Sequence, residues 1–377
     1  MKKINALIIG AGPAGSSCAL GLASAGLKVM LIDKSIFPRP KVCGGFIGPQ
    51  NQELLSTLGV WQILIERGAK PLTKSVLYSS SGSVTIPIRE GQALGCSRQL
   101  FDAALLERVM KEDVEVLEGA QVRRTFSNTR GFEVEIDHYY RNKKYVIYTD
   151  HLINASGWRS PRVKASHVQL GLGALYNMPA VLEQVSLFCC PRGHVGINPV
   201  EGNQVNVCYV VQEDLFNEKD CDGQKILDYW SQENPLLGRM LDGSERITPW
   251  KAVYVPARAG ERFFENGIWY VGDAAAFINP VTGGGVSIAL MSGRLLAKSL
   301  VAYPNDAERL KHYTEYYRKY FQEQRWLAGV WGGLAHHSFS STAVIKLLNS
   351  NNFLRTGIIN HSHPRVPNEL IYQYAGG

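Results

Sequence analysis

No stretch of this 377-residue chain approaches eighteen uninterrupted apolar residues, which argues against a membrane-spanning helix and leaves only peripheral membrane contact open. The basic residues are scattered without a run of five or six. The net charge of +7 and the pI near 8.9 therefore read as a mildly basic solvated surface, suited to anionic phosphates or an acidic partner but not to nucleic acid. The seven cysteines are odd in number and lack metal-type C-x-x-C spacing, which excludes a disulfide framework and predicts buried thiols in a reducing cytosol. Met1-Lys-Lys-Ile-Asn5 runs straight into a strand, so the apolar stretch behind it is expected to be no signal peptide and the expected location is cytoplasmic. His361-x-His363 has no carboxylate placed beside it, and no metal is assigned.

What is present is an ordinary globular composition, 45% hydrophobic and 19% charged, with room for two or three domains. Residues 4–34 organise the rest. Ala6 to Ile9 form a short, branched apolar run, the pattern of a strand buried on both faces of a parallel sheet. Gly10, Gly12 and Gly15 follow with G-x-G-x-x-G spacing and open a helix predicted from Pro13 to Ala25, capped by Gly26. Gly10 makes the sharp turn, Gly12 lets backbone amides approach a pyrophosphate, and Gly15 lets the helix pack on the strand. Pro13 and Ala14 lie at the helix start, whose free donors and partial positive charge face the phosphates. Val29 to Ile32 reads as the next strand and ends in Asp33-Lys34, at the separation where a carboxylate reaches a ribose 2′-OH. Asp33 disfavours a cofactor with a 2′-phosphate, so FAD or NAD fits better than NADP.

The loop Ser35 to Gly48 is built to lie against that cofactor: Pro38 and Pro40 forbid a helix, Arg39 and Lys41 return positive charge, and Gly44-Gly45 permit close approach. Cys43 is either a reactive thiol or a small side chain that fits. Residues 74–88 read as a hairpin around a Ser-Gly turn, and Arg98 precedes a helix from about Leu100 to Lys111. Val114 to Leu117 and Gln121 to Arg124 read as short strands, Phe132 to Ile136 pairs with Tyr145 to Tyr148, and His151 to Gly157 reads as a further strand ending in small residues. From about Ala165 to Pro256 strands dominate, with few helices, and together with the 74–88 hairpin they predict a separate antiparallel sheet.

The chain returns to the cofactor where the apolar run Ile268 to Val271 ends in Gly272-Asp273, whose carboxylate suits a sugar or ribityl hydroxyl. Gly283-Gly284-Gly285 then opens a helix from Val286 to about Leu300, a second positive helix start. Aimed at the N1–C2=O edge of a flavin, it would favour the anionic reduced ring. Two such starts suit FAD better than NAD. Residues 306–325 form a charged helix lying against the body, and Trp326 to Ala335, followed by His336-His337, serves either core packing or a channel for a greasy substrate.

Gly10-Ala-Gly-Pro-Ala-Gly15, Pro-Arg-Pro-Lys-Val-Cys-Gly-Gly at 38–45, Arg98, Gly272-Asp-Ala-Ala and Asn-Pro-Val-Thr-Gly-Gly-Gly at 279–285 resemble the geranylgeranyl reductase family, within the FAD enzymes similar to p-hydroxybenzoate hydroxylase. The resemblance implies an α/β protein, α+β overall, with a Rossmann-like FAD-binding domain, a separate antiparallel β-sheet substrate domain and a helical C-terminal segment. It implies FAD-binding parts at 1–73, 96–164 and 257–300, a substrate-domain hairpin at 74–95, the antiparallel substrate domain at 165–256 and the helical region at 301–377. FAD would be held by Gly10 to Gly15, Asp33, Cys43 to Gly45, Arg98, the backbone near Val122, Asp273 and Gly284-Gly285.

The departures bear on function. The Asp-Gly of the hydroxylases is Ser156-Gly157 here, which predicts slow direct reduction by NAD(P)H and dependence on a partner reductase or on substrate-gated entry of electrons from NAD(P)H. The aromatic-rich stretch of the reductases is His194-Val-Gly-Ile-Asn-Pro-Val200, and the Trp-x-Trp pair of the flavin halogenases is absent, which ranks halogenase low. The expectation is an FAD-dependent oxidoreductase reducing an unsaturated, lipid-like small-molecule substrate. The alternatives are a flavin monooxygenase of an aromatic or polyketide-type substrate and a flavin-binding protein without catalysis. The sequence singles out no catalytic acid or base and leaves the oligomeric state open.

Overall fold

The computed structural model describes residues 2–88, 91–129, 131–158, 168–179, 182–256, 260–335, 338–351 and 366–371. Its first sheet runs in the order 268–270, 143–154, 2–9, 29–33, 114–118, parallel throughout, with the short strand Phe264–Glu265 added antiparallel at one edge. In the central strand Lys2–Ile9, Ala6, Leu7 and Ile8 are fully buried, as a strand covered on both faces requires. One face is covered by the helices Pro13–Ser24, Arg98–Met110 and Gly285–Ala302. The other is covered by the meander Ala120–Asn128, Gly131–His138 and Lys143–Asn154, which closes over Ile4, Leu7, Met30 and Ile32.

Helices Pro13–Ser24 and Gly285–Ala302 lie almost in backbone contact. A Cβ on Gly293 would stand 2.2 Å from the Ala14 carbonyl oxygen, and Ser17 Oγ donates to Leu290 O at 2.8 Å. Among the described residues Gly285–Ala302 is the one helix long and apolar enough to cross a membrane, yet 72% of it is buried inside the protein.

The second sheet runs 245–246, 168–177, 204–212, 193–199, 184–190, 74–79, 82–87, with Lys251–Pro256 also paired to Val168–Asn177. It is antiparallel at every junction but one: Gln184–Cys190 pairs in parallel with Lys74–Ser79, so the hairpin joins with a different sense from the one expected. Three helices missed in the strand-dominated reading, Glu213–Glu218, Gly223–Glu233 and Pro235–Leu241, cover its outer face. They bury Leu215, Ile226, Leu227, Trp230 and Leu237 against Val195, Val207 and Tyr209.

Other boundaries shift for physical reasons. Tyr145–Tyr148 and His151–Asn154 form one strand, Lys143–Asn154, because strand Lys2–Ile9 pairs with it from Ile147 to Asn154, across the apparent break. On the other edge the partner changes from Gly131–His138 to Ile268–Tyr270. Gln121–Arg124 is part of the nine-residue strand Ala120–Asn128 and pairs in the meander. The charged segment and the apolar run after it are a single helix, Asp306–Ala335, anchored by the fully buried stripe Tyr313, Tyr317, Phe321. Trp326 is 66% exposed and Ala328 fully buried, so that run is neither uniformly core nor uniformly lining. His336, His337, His361 and His363 lie outside the described residues. All seven cysteines are unbridged; Cys221 is exposed and Cys43 and Cys208 are half-buried, against the expectation of uniformly buried thiols.

Candidate cofactor-binding site

The three fingerprint glycines do three different things. Gly10 has φ +107°, and a Cβ there would stand 2.5 Å from Ala155 O, so the turn is set against the end of strand Lys143–Asn154. A Cβ on Gly15 would stand 1.9 Å from Gly10 O, which fixes helix to strand. Gly12 is different: a Cβ there would meet only Arg98 Nη2 at 3.8 Å and Arg39 Nη2 at 3.9 Å. Two guanidinium groups thus hang over the glycine loop, facing a helix that begins at Pro13 with no side-chain cap.

Those guanidiniums are aimed by a residue the sequence reading missed. Asp102, fully buried, accepts from Arg98 Nε at 2.7 Å and Arg98 Nη2 at 2.8 Å, and Arg39 Nη1 stands 3.0 Å from its Oδ2. Burial alone would lower the Arg98 pKa, but the charge and hydrogen bonds of Asp102 outweigh it and raise it. The signal was there: Asp102 lies four residues beyond Arg98, on the helix face that also carries Phe101 and Leu105. Ser97 caps this helix, its Oγ accepting from Leu100 N at 3.1 Å.

Asp33 stands at the end of its strand, 9% exposed, with Oδ2 accepting from Ala11 N at 2.9 Å and Oδ1 from Ser35 N at 2.8 Å. Each oxygen retains a lone pair for a ribose hydroxyl. Lys34 follows on the exposed side, and Val122 turns its side chain into the meander core. Because Asp33 holds the glycine loop as well, Asp33→Asn is expected to weaken FAD by roughly 1–3 kcal/mol. Titration calorimetry on the apoprotein measures this, and unchanged affinity would remove Asp33 from the site.

At the other end, Asp273 follows strand Ile268–Tyr270, half-buried and without a hydrogen bond or ion pair among the described residues. Burial pushes its pKa up, while the positive charges of Lys41 and Arg98 hold it back. The helix Gly285–Ala302 starts from Gly284 with no side-chain cap. Gln50 Nε2 and Asn51 Nδ2, also missed, donate to Ser287 Oγ in its first turn at 2.7 and 2.8 Å. The loop at 43–45 is clamped to the second sheet: Asn206 Nδ2 donates to Cys43 O at 2.8 Å, and Asn198 Nδ2 to Gly44 O and Gly45 O at 3.2 and 2.7 Å. Gly44 is exposed, with nothing within 4 Å of its Cβ position.

Ser156 is exposed and spends both its N–H and its Oγ on Asn154 Oδ1, at 3.0 and 2.8 Å, so no carboxylate stands at this strand end. A polar groove of about 500 Å³, lined by Asn128, His151, Asn266 and Arg309 among others, opens at the N-terminal end of strand Ile268–Tyr270. The residues described above gather at the opposite end of that strand. A cationic cradle over a glycine loop, an acid at each of two strand ends and a second uncapped helix start together fit the diphosphate, the ribose and the far end of an FAD.

A profile of the FAD binding domain family matches residues 3–324. The tryptophan 2-halogenase of Chondromyces crocatus is 26% identical over 345 residues, covering 84% of this chain but only 64% of the relative. A digeranylgeranylglycerophospholipid reductase of Methanococcus vannielii is 26% identical over 359 residues, covering 84% of this chain and 83% of the relative. Among solved structures, the flavin-dependent brominase Bmp2 superposes with a TM-score of 0.82 at 17% identity, over 99% of this chain and 98% of that one, a likeness of fold alone. Halogenases thus stand level with the reductases in identity, although the missing Trp-x-Trp pair ranked them lower.

Proposed function

The chain belongs to the FAD binding domain family and is an FAD-dependent oxidoreductase, and from that premise we propose that it reduces an unsaturated, lipid-like substrate. In this reading FAD supplies the hydride chemistry, and the protein supplies orientation and electrostatics. Gly10, Gly12, Pro13, Ala14, Gly15 and Arg98 hold the diphosphate. Asp33, with Lys34 and the Val122 backbone alongside, holds the ribose end. Asp273, Gly284, Gly285 and the Cys43-Gly44-Gly45 loop hold the ring end. Segments 1–73, 96–164 and 257–300 form the cofactor domain and 74–95 with 165–256 the substrate domain.

The observation that carries the substrate class is the wall facing the 42–45 loop. A Cβ on Gly173 would stand 3.6 Å from Val42 and 4.0 Å from Cys208 Sγ, and Asn206 bonds the Cys43 carbonyl. None of these wall residues is ionised, since burial pushes the Cys208 thiol pKa up. A neutral surface beside the loop suits an uncharged substrate better than an ionic one. The fuller coverage of the reductase relative supports the same choice. The second reading, an oxygen-dependent hydroxylation or halogenation, is favoured by the equal identity to a halogenase.

The test begins with anaerobic reduction of the FAD-loaded protein. Reoxidation by an added polyprenyl lipid without oxygen supports the reductase. Reoxidation only on admitting oxygen, with a hydroxylated or halogenated product, supports the second reading. Because Ser156 presents no carboxylate, dithionite is expected to reduce the protein readily and NADPH or NADH only slowly without substrate, a partner reductase being the electron donor. Rapid bleaching by NADPH in substrate-free stopped flow would overturn that expectation.

A further inference from the structure

Lys41 makes no hydrogen bond or ion pair among the described residues, although three carboxylates lie in the cleft it occupies. Its Nζ stands 3.3 Å from the Cβ position of Gly157, directly beyond the Ala155-Ser156 backbone against which Gly10 turns. The ammonium therefore lies beside the residues that follow strand Lys143–Asn154, within reach of the charges of Arg98, Asp273, Asp102 and Arg39. Its side chain is open to solvent yet closely ringed by protein. Desolvation lowers its pKa, and the Arg98 charge adds to this, with Asp273 and Asp102 opposing.

The charges here are equal in number, three cations to three carboxylates, but not in pairing. Arg39, Lys41 and Arg98 bring three positive charges. Asp102 is saturated by the two guanidiniums, and Asp33 is engaged by Ala11 N and Ser35 N and stands 3.9 Å from Arg39. Asp273 is the remaining acid and forms no ion pair with Lys41. Ser156, with its hydroxyl turned onto Asn154, puts no carboxylate beside the ammonium either.

We propose that Lys41 is the third cationic ligand of the FAD diphosphate, completing the cradle of Arg39 and Arg98. The inference rests on the FAD reading given above. A dianion above Gly12 supplies the contact partner that no carboxylate gives Lys41, and the lysine, a flexible point charge, adjusts to it where the two guanidiniums are fixed by Asp102.

The experiment uses apoprotein, with FAD and ADP as separate probes in titration calorimetry. Lys41→Met is expected to weaken both by the same factor, roughly 10- to 100-fold, the range for a hydrogen bond to a charged group. Its affinity should also fall less steeply with added salt than that of the unchanged protein. Lys41→Arg, which keeps the charge, should restore binding to within a few-fold. The apoprotein should melt at the same temperature throughout, since Lys41 holds nothing in its absence. Unchanged FAD and ADP affinities would overturn the proposal, as would a loss confined to FAD, which would place the ammonium at the ring end. Failure of the unchanged protein to bind FAD at all would instead overturn the cofactor reading itself.

Discussion

Gly12→Val protein is expected to fold with near-normal stability and to purify without flavin. At position 12 the backbone is extended, with φ −77° and ψ −175°, so a β-branched residue meets no strain. Its Cβ would touch only the tips of two arginines, at 3.8 and 3.9 Å. The two methyl groups would then fill the space between those guanidiniums and the first amides of helix Pro13–Ser24. The expected loss is roughly 3 kcal/mol of FAD binding, the upper end of the usual range for forcing a side chain into occupied space. Visible absorbance and FAD titration read the loss, and the melting temperature of the apoprotein reads the fold. The neighbouring glycines provide the contrast: Gly15→Val would drive its Cβ to 1.9 Å from Gly10 O and should not fold. A folded Gly12→Val protein with stoichiometric FAD would disprove the proposed approach of phosphate to backbone.

Removal of Asp102 should strongly destabilise the apoprotein while leaving it able to fold. Its carboxylate is fully buried, and Arg98 and Arg39 are only 9% and 16% exposed. Asp102→Ala leaves two nearly buried guanidiniums facing each other with only Asp33, 3.9 Å from Arg39, as a counter-charge, a situation that costs about 3–5 kcal/mol. Urea unfolding of the apoprotein measures it, and a loss below about 1 kcal/mol would show that water already screens the pair. FAD affinity should fall as well, because the arginines would no longer be held over Gly12.

The contrast between these two residues shows what the chain discloses locally. Gly12 belongs to a strand, a turn and a helix contiguous in sequence, and its spacing alone identified the turn, the helix from Pro13 and the acid at Asp33. Asp102 acquires its meaning from Arg39, sixty-three residues away, and no local pattern brings them together. Helices Gly223–Glu233 and Pro235–Leu241 were legible in principle, since Asp222 and Asn234 cap them with bonds to Gln224 N and Leu236 N. Their apolar residues were absorbed into a strand-rich reading because only one face of each is buried. Strand Lys143–Asn154 was divided at Thr149-Asp150, polar residues that mimic a turn, where the partner on one edge changes.

The contact between helices Pro13–Ser24 and Gly285–Ala302 turns the two helix starts into the jaws of a gauge. With Gly293 pressed on the Ala14 backbone, and a Cβ on Gly21 due to fall 2.7 Å from that of Ala297, neither helix can slide past the other without a collision. The spacing between Gly12 and Gly284 is therefore fixed before any ligand arrives, and length is read along with charge. A molecule spanning both jaws gains from each at the cost of a single immobilisation, whereas fragments carrying one end alone, such as ADP or FMN, must each meet that cost separately.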